Sequence, residues 1–130
     1  MKALLIDAVE YPPEWTPWQV LDEWFGPLLE SVAHLEWSVV AVSDPDCRRR
    51  ALGAEAVVIT GSPRDADCAE PAVLQLLETL RELTSRETAV FGICFGHQLL
   101  ARALGGTVAR NPAGWEVGNV RISLTEHGLI

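Results

Sequence analysis

Residues 89–108, AVFGICFGHQLLARALGGTV, set a cysteine between two glycines where an apolar run gives way to a helical pattern. Cys94 stands two residues after Gly92 and two before Gly96. A sharp strand-to-helix turn holds its central residue in a strained conformation with the side chain clear of the sheet, and flanking glycines let the backbones pass. The helix start adds partial positive charge and free N–H groups, which favour a thiolate. The Phe95 N–H would then face an oxyanion forming on a carbonyl attacked by Cys94. Cysteine also occurs as a small buried hydrophobe, and the strand-to-helix context is what favours a nucleophile here. Cys47 and Cys68 lack that context. Each is read as a non-catalytic residue in a polar loop.

The elements that must position Cys94 follow from apolar periodicity. KALLIDAV (2–9), LEWSVVAV (35–42), EAVVIT (55–60) and TAVFGI (88–93) read as buried strands. Between the first two, Thr16 caps a helix with Pro17 at its first position, and Leu21, Trp24, Phe25, Leu28 and Val32 form its apolar stripe. Pro27 kinks or divides that helix. SDPD is a turn, and Arg48-Arg49-Arg50 is a solvated turn or helix face. Pro71 opens a further helix with a stripe of Val73, Leu76, Leu77, Leu80 and Leu83. The helix after Cys94 runs to about Leu104, with Gly105 as its C-terminal cap. GWEVGNVRISLTEHGLI reads as a strand with a loop. Strands alternating with helices predict an α/β domain with a mostly parallel sheet and helices on both faces. Right-handed crossovers place every strand's carboxyl end on one edge, where ligands bind. TGSP and GICFGHQ both arrive at that edge.

Composition excludes several classes. The 130 residues are enough for one domain with a core. A net charge of −8, with ten basic against eighteen acidic residues, argues against nucleic-acid binding. No segment reaches the length of a membrane span, and Asp7 and Glu10 interrupt the N-terminal apolar run too early for a secretory signal. Three cysteines, an odd count without metal-ligand spacing, suggest reduced thiols in a cytoplasm. No cofactor is expected.

GICFGHQLLARALGG resembles the nucleophile segment of class I glutamine amidotransferases, G-x-C-x-G-x-Q followed by a helix and Gly-Gly. ITGSP resembles the family's oxyanion-strand loop, and NPAGWEVG its E-x-G segment beside the glutamine pocket. The resemblance extends from the first strand to Leu124 and is nearest to stand-alone members similar to the amidotransferase domain of GMP synthase. It implies a flavodoxin-like three-layer sandwich and hydrolysis of the side-chain amide of L-glutamine to glutamate and ammonia. By that resemblance Cys94 is the nucleophile, and the N–H groups of Gly61 and Phe95 form the oxyanion hole. Gln98 holds the substrate, Ser62 and Pro63 shape the oxyanion loop, and Glu116 and Gly118 rim the pocket. Spacing agrees for Gln98, which follows Cys94 by four residues and so faces the same way.

Turnover also needs a histidine oriented by a carboxylate. His34 falls between a helix and a strand, His97 shares a helical turn with Cys94, and His127 lies in a loop. The family's His-x-Glu pair lies later in a longer domain. The expectation is therefore an amidotransferase-type domain over residues 1–130 that lacks its C-terminal part and is inactive as it stands. A synthetase or acceptor partner is open. Two alternatives remain: a non-catalytic ligand-binding or assembly module, and a γ-glutamyl peptide hydrolase.

Overall fold

A computed structural model describes residues 1–10, 27, 35–115, 117–119, 121 and 123. Four strands, β1 (Lys2–Asp7), β2 (Glu36–Ala41), β3 (Ala56–Ile59) and β4 (Ala89–Gly92), form a parallel sheet in the order β2-β1-β3-β4. Helices α1 (Cys47–Leu52), α2 (Pro71–Ser85) and α3 (Phe95–Ala103) complete the described elements. The expected α/β class and parallel sheet are present. Each strand is shorter than its apolar run. At β1 the reason is visible: the Ala8 N–H turns to Thr60 Oγ1 and the Val9 N–H to Asp7 Oδ1, so the chain leaves the ladder after Asp7.

Alternation sorts each strand's side chains between two faces. On one, Leu4, Ile6, Val40, Val57 and Ile59 pack against all three helices. The α2 stripe of Val73, Leu76, Leu77, Leu80 and Leu83 is buried as its spacing predicts, and α3 adds Phe95 and Leu99. On the other face Leu5 and Val58 are buried with Trp37, Val39 and Ile93 around them. The helix expected around residues 16–32 lies outside the described residues, Pro27 apart.

The basic run folds as α1. Arg48 reaches across to α2, donating to Thr79 Oγ1 at 3.3 Å and pairing with Glu82 at 2.5 Å. Cys47 corrects the loop reading: it is the first residue of α1 and its side chain is buried in the core. Burial, followed by the nearby Asp44 carboxylate, pushes its thiol up to about 11. The helix α3 stops as expected. Gly105 takes φ +86°, its N–H bonds Arg102 O at 3.1 Å, and the Gly106 N–H bonds Ala101 O at 2.8 Å. These paired bonds satisfy carbonyls that a helix end leaves open. The described residues from Gly114 to Ser123 form no strand.

Candidate active site

The order β2-β1-β3-β4 reverses direction between β1 and β3, and the crevice beyond their carboxyl ends is where open α/β sheets bind ligands. β4, next to β3, delivers Cys94 to that edge. Cys94 has φ 52° and ψ −105°, a conformation non-glycine residues seldom adopt, and its side chain is exposed. Bonds on either side maintain the strain. The Ile93 N–H donates to Ile59 O at 2.9 Å, the Gly96 N–H to Ile93 O at 2.9 Å, and the Gln98 N–H to Cys94 O at 3.0 Å. Strain maintained by surrounding structure is typical of functional positions.

Both flanking glycines are required by close backbone approach. A Cβ on Gly92 would lie 2.5 Å from the His97 N, and one on Gly96 would lie 2.6 Å from Ile59 O. Side chains there would force α3 away from the sheet. The loop after β3 meets the elbow from its other side: a Cβ on Gly61 would stand 3.7 Å from the Cys94 Cβ. Residues 33 positions apart in sequence are thus in contact range.

The structure brings Cys94, Gly61 and Phe95 to one place. Gly61 adjoins Cys94. Phe95 opens α3, where backbone N–H groups lack intrahelical acceptors, and its ring is buried in the core beneath. Gln98, one turn on, is exposed, and its four-residue spacing sets it on the helix side that Cys94 begins. Ser62 takes part as a loop-shaping residue, its Oγ accepting the Arg64 N–H at 3.2 Å. Gly118 is exposed, at φ +111°, a conformation that favours glycine. Glu116, His34 and His127 lie outside the described residues. His97 is exposed, and among the described residues no hydrogen bond joins it to Cys94.

Sequence reading missed the supports of this loop. Thr60 Oγ1 accepts the Ala8 N–H at 2.9 Å and donates to Gly61 O at 3.0 Å. Arg64 donates through Nε to Glu70 at 2.8 Å and through its two terminal nitrogens to Ala8 O at 2.7 Å and Glu10 at 2.5 Å. Glu10, itself at φ 51°, also accepts the Ser43 N–H at 3.0 Å. Burial pushes the Glu10 carboxyl up, but the Ser43 side chain and N–H and the Arg64 guanidinium together bring it below its ordinary value. The one sequence signal was an arginine inside GSPRD, in the loop leaving a strand at the ligand-binding edge. Among the described residues no group of three His, Cys, Asp or Glu side chains could hold a metal ion, and no helix is long and apolar enough to cross a membrane.

Comparison with known proteins agrees with this geometry. Residues 28–130 match the family Glutamine amidotransferase class-I. The glutamine amidotransferase-like protein chyE of Penicillium rubens is 35% identical over 134 aligned residues, covering 98% of this chain and 54% of that protein. Gamma-glutamyl peptidase 4 of Arabidopsis thaliana is 46% identical over 70 residues, 52% of this chain and 28% of the peptidase. The crystal structure of a glutamine amidotransferase from Methylobacillus flagellatus superposes with a TM-score of 0.62 at 25% identity, covering 85% of this chain and 41% of that one. The chain thus spans about half, or less, of the length of the relatives it matches, 54% and 28% for the two named here. With a family match over 103 of its 130 residues and the flavodoxin-like sheet described above, the chain belongs to the class I glutamine amidotransferase family.

Proposed function

We propose that the chain cleaves the side-chain amide of L-glutamine through a thioester on Cys94. The thiolate attacks the amide carbon, the C–N bond breaks, ammonia leaves, and water then releases glutamate. The observation that carries this reading is the exposed Cys94 at φ 52° with Gly61 against it. An acyl oxygen above Cys94 would lie between the Gly61 and Phe95 N–H groups, where developing negative charge is stabilised. Gln98 holds the glutamine on the same face of α3. Glu116 and Gly118 are the residues proposed to rim the glutamine pocket. The free thiols suit a reducing compartment, and the cytoplasm is the proposed location.

A second reading has the same acyl group and a different leaving amine. Resemblance to an Arabidopsis γ-glutamyl peptidase favours γ-glutamyl peptides as substrates. Either reaction needs a histidine–carboxylate pair to protonate the amine and activate water. Among the described residues His97 is the sole histidine, and no carboxylate is bonded to it. The 130 residues should therefore acylate faster than they turn over.

The test uses L-glutamate γ-(p-nitrophenyl) ester, whose aryl oxide leaves without needing a proton. One equivalent of p-nitrophenolate and a glutamyl adduct on Cys94, found by peptide mass spectrometry, are expected. Both are lost in Cys94→Ala, and free glutamine slows the reaction. Better protection by a γ-glutamyl dipeptide than by glutamine favours the second reading. No adduct, or one that neither ligand slows, refutes both. Steady ammonia release from glutamine by the chain alone would move the base to His97.

A further inference from the structure

We propose that Arg64 is a positioning residue that holds the Gly61 N–H against Cys94, an inference that rests on reading Gly61 as an oxyanion donor. Gly61, Ser62 and Pro63 are clasped at both ends by the backbone of one residue, Ala8. Before them, Thr60 Oγ1 accepts the Ala8 N–H at 2.9 Å, and the Thr60 N–H donates to Ile6 O at 3.1 Å. After them, the Arg64 guanidinium donates to Ala8 O at 2.7 Å. The loop can neither slide along β1 nor swing off it without breaking a bond at one end.

The rest of the guanidinium extends this hold across the sheet edge. One terminal nitrogen pairs with Glu10 at 2.5 Å, and Glu10 in turn accepts the Ser43 N–H from the turn after β2. Nε pairs with Glu70, directly before α2. Arg64 therefore ties the segments after β1, β2 and β3 to the start of α2. Its side chain is only 20% exposed, as is that of Glu10, so this pair is less screened by water than a surface pair. Three bonds in fixed directions are what a planar guanidinium supplies and a lysine ammonium does not. Arg64 touches no reacting atom in this scheme. It acts through the backbone of Gly61, whose peptide must be in place before the oxyanion forms.

Two reagents separate this role from a general structural one. The p-nitrophenyl ester passes through a tetrahedral oxyanion. Iodoacetamide alkylates Cys94 by direct displacement of iodide and forms none. In the 130-residue chain, Arg64→Ala should slow acylation by the ester about tenfold to a hundredfold, while alkylation by iodoacetamide stays within about twofold. The concentration of glutamine needed for protection should not change. Arg64→Lys keeps the charge without the fork and should recover only part of the lost rate, and it carries the comparison if Arg64→Ala does not fold. Equal slowing with both reagents, no slowing with the ester, or full recovery by lysine overturns the positioning role. An unsubstituted chain that the ester fails to acylate overturns the glutamine reading, and with it this inference, before any Arg64 variant is compared.

Discussion

Replacing Gly96 with alanine places a methyl group against the backbone of β3. The new Cβ would start 2.6 Å from Ile59 O and 2.8 Å from the Ile59 Cβ. Ordinary contact begins at 3.4 Å, so α3 has to retreat from the sheet by about 0.8 Å to relieve the first overlap. Ile59 cannot yield instead: it is fully buried, and its carbonyl already accepts the Ile93 N–H at 2.9 Å. Overpacking of this size costs about 1–3 kcal/mol. Alanine's better helix propensity offsets at most about 1 kcal/mol of it. A net loss of roughly 1–2 kcal/mol is expected in urea unfolding. The chemical effect should be larger. A retreat of α3 carries Phe95 and Cys94 away from Gly61, and misplacement approaching 1 Å costs on the order of a hundredfold in rate. Acylation by the p-nitrophenyl ester should thus fall about thirtyfold to a hundredfold with alkylation by iodoacetamide much less affected. If Gly96→Ala unfolds at the same urea midpoint and acylates at the original rate, the close-approach argument for this glycine is wrong.

Three further outcomes follow from burial. Iodoacetamide at neutral pH should label Cys94 well before Cys47, because Cys94 is exposed while Cys47 is in the core with its thiol pushed up to about 11. Equal labelling of folded protein would contradict the assignment of Cys47 to the core. The same burial has a pH consequence. In the unfolded chain Cys47 ionises near 9.0 but in the folded protein only near 11, so its contribution is intact below 9.0 and declines as pH rises toward 11. Cys47→Ala should flatten that alkaline decline in chemical-denaturation midpoints, and an unchanged slope would count against it. Leu80→Ala, at a fully buried position in the α2 stripe, should cost about 2–5 kcal/mol by urea unfolding. A loss below about 1 kcal/mol would mean that α2 does not pack on the sheet as described.

Features determined by residues close together in the chain were legible in the sequence. The elbow depends on Gly92, Cys94 and Gly96, and its strain is a matter of local backbone sterics. The α2 stripe and the glycine stop of α3 follow from helical periodicity and from glycine's freedom at positive φ. Contacts between distant segments were decided by the tertiary structure. Cys47 looked like a loop residue because its neighbours are polar, yet α1 turns its side chain into the core while Arg49 stays at the surface. Arg64 sits 54 residues from Glu10 and 56 from Ala8, and no local pattern reveals that a parallel sheet brings all three to one edge. The approach of Gly61 to Cys94 has the same origin. Each residue lies at the carboxyl end of its own strand, and only the pairing of β3 with β4 sets them side by side. Local sterics act through the chain itself, whereas the oxyanion loop and its clasp exist only once strand order has been chosen by burial of both sheet faces.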